Sequence, residues 1–264
     1  MWCSLGSIDA KEAVPSREPI RRTLAVVLAL ICSVCTLQAQ GGPPLETDDP
    51  GTPGAGHLEL NVSVEAEREG GGTLYDAPGL DANLGIATRL QLKVEVPWRI
   101  ATAPGEPART GAGNVILGIK WRFAQTGSVA ISTYPQVTLG GWESSLAKDL
   151  ADSGSAVLLP IEVAWRAGPL SLGAELGYQR GQGEAEMVYG LALAHRARPS
   201  LELLGECHGS GDAEFTGLGV LCGAGFRWER CQVVSVLAAL SAGVAGSAEH
   251  RPDRRLYTGV QLRW

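Results

Sequence analysis

The sequence predicts an all-β fold, a transmembrane antiparallel up-and-down barrel of about 12 strands. Three observations carry that prediction. Apolar and polar residues alternate with a period of two along most of the 264 residues. Short connections between the alternating stretches take turns with longer ones. The aromatic residues gather toward the ends of those stretches rather than their middles. Thirty-five glycines, only 6% aromatics and no long helical periodicity agree with a turn-rich β chain.

Residues 1–39 are set apart from that pattern. Arg17, Arg21 and Arg22 precede the apolar run Leu24 to Leu37, and Leu37-Gln38-Ala39 offers a small residue for cleavage. The run is too short for a comfortable helical span, so it reads as a secretory signal peptide with a leader extension. The whole chain carries 22 basic and 28 acidic side chains, net −6. Removing the leader takes away four basic and three acidic residues and makes the remainder one unit more negative. An acidic chain lacks the basic footprint that nucleic acid requires, so no nucleic-acid partner is expected.

Residues 40–56, QGGPPLETDDPGTPGAG, are too rich in proline and glycine for regular structure and read as an N-terminal arm. The barrel is expected over residues 57–264. In the first strand Leu58, Leu60, Val62 and Val64 oppose Glu59, Asn61, Ser63 and Glu65. A hairpin follows, in which Leu80, Ala82, Leu84 and Ile86 share a face with Leu90, Leu92, Val94, Val96 and Trp98 across a turn at 87–89. Further apolar faces are Val115 to Phe123, Val157 to Trp165, Leu170 to Tyr178, Leu218 to Trp228 and Leu256 to Trp264, each taken at alternate positions, and Val129, Ile131, Val137 and Leu139 suggest another. The pattern is weaker over 184–208, and 231–243 is apolar on both faces.

The connections are expected to be short near 87–89, 124–127, 167–168, 196–199 and 229–230. They are expected to be longer at 70–78, 101–111, 140–154, 181–184, 209–214 and 244–254. Short periplasmic turns against longer external loops are the asymmetry of an outer-membrane barrel. Placing the short turns on the periplasmic side sends Trp121, Trp165, Trp228 and Trp264 to one interfacial girdle and Trp98 to the other.

Charged side chains facing lipid are costly, so the polar faces must look inward. Glu59, Glu65, Lys93, Glu95, Lys120, Arg122, Glu175 and Arg227 are therefore candidates to line the lumen. Two readings stand side by side: an aqueous path that selects solutes by charge, or cross-strand pairs that fill a small barrel. No histidine has metal-motif spacing, no nucleophile elbow is present, and no cofactor is expected. Asp48 and Asp49, bounded by Pro50, read as an acidic turn. Cys207, Cys222 and Cys231 admit one disulfide with a thiol left over, or three buried thiols.

Three segments resemble the outer-membrane proteins associated with the meta-cleavage pathway of phenol degradation, often called transporters. They are Leu45-Glu46-Thr47-Asp48-Asp49-Pro50, the hairpin from Leu80 to Pro97, and Gly111-Ala112-Gly113-Asn114-Val115 continuing through Gly118-Ile119-Lys120-Trp121-Arg122-Phe123. An aspartate is common in that family where this chain has Asn114. The resemblance implies a bacterial outer-membrane barrel with a transport role and no catalytic site. Lipid, small-molecule solutes and, through the C-terminal strand, the barrel-assembly machinery are the expected partners. The expected activity is passive passage of small solutes, with hydrophobic or aromatic compounds as one class. The alternatives are a barrel-embedded lipid hydrolase and a closed structural barrel.

Overall fold

The structure, a computed structural model, describes residues 42–183, 185–213, 218–246 and 252–264. The expected leader, residues 1–39, and His250 lie outside the described residues. Fourteen strands follow one another: β1 (Leu58–Glu69), β2 (Gly72–Ala87), β3 (Leu90–Thr102), β4 (Arg109–Ala112), β5 (Ile116–Thr126), β6 (Val129–Thr133) and β7 (Gln136–Thr138). Then come β8 (Ala156–Ala167), β9 (Leu170–Arg180), β10 (Ala185–Arg198), β11 (Leu201–Asp212), β12 (Gly219–Glu229), β13 (Val234–Ala245) and β14 (Arg254–Arg263). All pairings are antiparallel, and β1 pairs with β14 from Glu59↔Arg263 to Arg68↔Arg254, which closes the sheet. β4 continues the line of β5 along β3, and β7 continues the line of β6 between β5 and β8. The fourteen segments are therefore twelve staves of a closed barrel, the expected number.

Closure leaves no ladder edge open, which is what hydrocarbon demands of backbone N–H and C=O groups. The two faces are sorted inside out relative to a water-soluble protein. Val94, Ile119, Leu159, Leu172, Leu191 and Leu240 are exposed on the outside, while Asn61, Gln91, Lys120, Glu162, Glu202 and Arg227 are buried inside. A slip of one residue would exchange the faces, and a basic side chain at the lipid midplane costs roughly 2–4 kcal/mol. The sequence alternation thus fixes the register. Trp98, Trp121, Trp165, Trp228 and Trp264, the expected girdle residues, are all exposed.

Both ends of the barrel meet at one rim, where the turns are tight: 88–89, 127–128, 168–169, 199–200 and 230–233. The opposite rim carries the longer connections 103–108 and 139–155. One expected long loop is absent there, because β2 already begins at Gly72 and the β1–β2 turn is only Gly70 and Gly71, both at positive φ. A bulge between Asp76 and Gly79 takes up Pro78, which has no N–H to give a ladder, so the strand runs on through the stretch that reads as loop.

Segment 139–155 contains a short helix, α1 (Glu143–Leu146), in a chain that reads as all β; one turn is too brief for helical periodicity to register. The segment folds into the barrel mouth. Leu150 is buried, and its carbonyl accepts from the Arg99 guanidinium at 3.1 Å. Asn114 ties both ends of the segment down: its amide nitrogen donates to the Leu139 and Asp152 carbonyls at 2.8 and 3.0 Å, and its oxygen accepts from the Asp152 N–H at 2.9 Å. Cys207 and Cys222 are register partners on β11 and β12 and form a disulfide. Cys231 is free and exposed, so one bridge with a leftover thiol is the arrangement found, rather than three buried thiols.

Candidate functional site in the barrel lumen

The lumen is not empty. The arm, which has no regular structure, turns back on itself inside the barrel: Leu45 N–H donates to the Gly42 carbonyl at 3.0 Å and Gly42 N–H to the Thr47 carbonyl at 2.9 Å. Pro44, Pro50, Leu45, Thr47 and Asp49 are almost wholly buried. Small inward residues make the space. Leu45 sits against Ala192 and Ala194 of β10 and Leu204 of β11. A side chain at Gly190 would run into Thr47, and one at Gly85 would run into the backbone of Gly54.

Polar groups of the wall then hold the arm along its length. Lys120 reaches the Asp48 carboxylate and the Asp49 carbonyl, both at 2.6 Å, and stands 3.8 Å from Glu162 behind it. Asp48 also accepts from the Asp49 N–H, and Asp49 from the Gly51 N–H, each at 2.7 Å, so the expected acidic turn is present and is the piece that Lys120 grips. Two wall carboxylates work the other way and accept from the arm backbone. Glu206 takes the N–H groups of Glu46 and Thr47 and the Thr47 hydroxyl, and Glu175 takes the Asp48 N–H at 2.8 Å. Charge-assisted bonds of this kind are roughly twice as strong as neutral ones.

Arg255 pairs with Glu46 of the arm and with Glu65 of β1 at 2.7 Å. This guanidinium holds the Glu46 carboxyl below the usual carboxylate range. Arg227 donates to the Pro43 carbonyl at 2.8 Å and to Glu202 at 3.1 Å. Nearer the short-turn rim Arg122 donates to the Thr88 carbonyl at 2.8 Å, which also accepts from Thr52.

The eight lumen candidates fall into two groups. Lys120, Arg122, Glu175 and Arg227 touch the arm directly, and Glu65 touches it through Arg255. Lys93, Glu95 and Glu59 pair along the wall instead, Lys93 with Glu95 at 2.8 Å and with Asp81 at 3.8 Å, and Glu59 with Arg263 at 3.9 Å. Asn61, Asp81, Asn83, Gln91 and Tyr134 add a hydrogen-bonded polar layer across β1, β2, β3 and the β6–β7 junction. Sequence reading missed the arm contacts made by Glu206 and Arg255. The signal available was the run of small inward residues Gly190, Ala192 and Ala194, which leaves volume that something else must occupy.

Between the arm and the long-loop rim a cavity of about 360 Å³ remains. Its floor is the arm from Gly42 to Asp48. Its walls carry Glu65, Asp76, Asp81, Glu95 and Glu175 against Lys93 and Arg255, together with apolar Ile116, Leu158 and Val188 and the ring of Tyr257. The three described histidines lie apart: His57 beside Gly54, His195 exposed on the outer face, and His208 at the cavity.

No family model matches the sequence, and no curated protein is similar to it. Solved structures share its fold. An outer membrane channel from Pseudomonas putida F1 aligns with a TM-score of 0.64 at 11% identity, over 85% of this chain and 100% of that one. The KdgM porin aligns at 0.56 and 9% identity, over 77% and 98%. The translocator domain of autotransporter NalP from Neisseria meningitidis aligns at 0.52 and 10% identity, over 94% and 98%. At these identities the likeness is one of fold, that of bacterial outer-membrane barrels.

Proposed function

We propose that this barrel is a passive outer-membrane channel for small solutes whose path is set by its own N-terminal arm. The observation that carries this reading is how the arm is held: largely by side-chain ion pairs and hydrogen bonds to Lys120, Glu175, Glu206 and Arg255, above which a polar cavity lies. Most of these contacts are polar, so water or a polar solute can replace them at little enthalpic cost. Support also comes from the fold, which is shared with an outer membrane channel and with porins. The short-turn rim is then periplasmic, and β14, ending at Trp264, is the strand offered to the barrel-assembly machinery. The resemblance of the arm motif and the first hairpin to proteins of phenol degradation favours small aromatic compounds among the solutes. The cavity's mixture of one tyrosine ring, that of Tyr257, with aliphatic walls and carboxylates accommodates such molecules.

Planar-bilayer recording and liposome flux test the proposal. The expected result is a small conductance in the unaltered protein that rises severalfold in Lys120→Met, which releases Asp48. Neither conductance nor flux in both proteins would leave a closed structural barrel as the reading.

A further inference from the structure

The outer face of the short-turn rim carries a feature that solute passage does not use. Along β10 the inward positions are Gly190, Ala192, Ala194 and Arg196, so continued alternation would also turn Arg198 into the lumen. A bulge between Arg196 and Arg198 breaks the count. Arg198 becomes the register partner of Leu201 and is exposed on the outside, while Arg196 stays inside with Glu202 and Glu229. Leu201 is in turn the partner of Trp228, and the exposed Arg230 guanidinium stacks over the Trp228 ring at 4.2 Å. Arg198 and Trp228, over which Arg230 stacks, therefore bracket β11 at one level of the barrel, their backbones about 10 Å apart by two strand spacings. Below them the outer face is apolar, with Leu203 and Phe226 in the next row. At this rim, among the described residues, no Asp or Glu side chain is exposed, whereas Glu69, Glu106, Glu143 and Asp149 are exposed at the other.

We infer that the arc from β10 to β12 is a docking surface for anionic phospholipid: Arg198 and Arg230 take the headgroup phosphate and the acyl chains lie along Leu203 and Phe226. Bulges re-aim side chains at barrel rims, and here the re-aimed group is a cation at the depth where the tryptophan girdle meets headgroups. Stacking on Trp228 orders the Arg230 side chain before any phosphate arrives and leaves its outer edge free to donate. The inference rests on the periplasmic placing of this rim proposed above and is independent of conduction.

Native mass spectrometry of the folded protein, released from micelles doped with equal phosphatidylglycerol and phosphatidylcholine, reads the preference directly. Each arginine near a charged interface favours anionic lipid by roughly fivefold. The unaltered protein is expected to retain phosphatidylglycerol selectively, Arg198→Gln with Arg230→Gln to lose that selectivity, and Arg180→Gln at the opposite rim to keep it. Heat-modifiable gel migration confirms that each variant is folded. Should the double variant fail that check, high salt must abolish the preference of the unaltered protein instead. Equal retention of the two lipids at the outset, a preference that survives the double variant or high salt, or lipid A bound through the same arginines would each overturn the inference.

Discussion

Single residues decide whether the arm stays seated. Gly190→Leu puts a side chain where Thr47 lies, so the arm is expected to leave the lumen while the barrel remains folded. Protease cleavage within 42–56 in an otherwise heat-modifiable barrel would show it, and an arm as resistant as in the unaltered protein would contradict the packing described. Glu46 gives the seating a pH dependence with a definite sign. Because Arg255 lowers its pKa in the seated arm, the contribution of the ionised pair is complete above the free-glutamate range and is lost as pH falls through the lowered value. Glu46→Gln is therefore expected to open the path most strongly near neutrality and to differ little from the unaltered protein well below about pH 4. Recording conductance across that range tests both halves. At Asn114 the amide donates twice and accepts once; an aspartate, as is common in the resembling family, donates nothing, so Asn114→Asp is expected to cost roughly 1–3 kcal/mol and to loosen 139–155. Urea titration and limited proteolysis of that segment measure it. The inward facing of Lys93, Lys120 and Glu175 was legible because strands have a period of two. Their partners were not, since the contact of Glu206 with Glu46 and Thr47 spans about 160 positions and leaves no local trace.

At the scale of elements, the staves and the tight-turn rim follow from alternation and turn residues, and the places where reading failed share a cause. The β1–β2 turn, the break between β4 and β5 and the interruption of β6 and β7 at Tyr134 and Pro135 are departures from a regular ladder. Glycine and proline announce such a departure without saying whether the strand ends or merely bends. The stretch 184–208, weak in pattern but still counted as strands, has a different cause. It is a full pair of strands, β10 and β11, whose inner face is small because the arm fills the space. The disulfide joining β11 to β12 encloses a loop of 15 residues, for which chain-entropy arguments give about 3 kcal/mol. Cys207→Ala with Cys222→Ala should accordingly lower unfolding stability by about 2–4 kcal/mol without changing the strand count. Denaturant titration alongside circular dichroism checks this, and an unchanged midpoint would refute a stabilising role.

For the whole molecule, the cavity's surplus of carboxylates over Lys93 and Arg255 sets the sign of selectivity. A conducting barrel is expected to favour cations, and Lys93→Glu with Lys120→Glu to strengthen that preference, read as a shift in reversal potential under a salt gradient. An anion-selective channel would contradict the charge arrangement. The arm has a consequence for assembly as well. Its residues precede β1, yet its anchors are spread from Lys120 on β5 to Arg255 on β14, the last stave of all. Synthesis thus delivers the stopper before the bottle exists. It can take its seat only when the final strand has arrived to complete the circle, and its seating becomes a certificate of closure: a barrel missing its last strand lacks the Arg255 anchor and is marked as unfinished by a loose N-terminus.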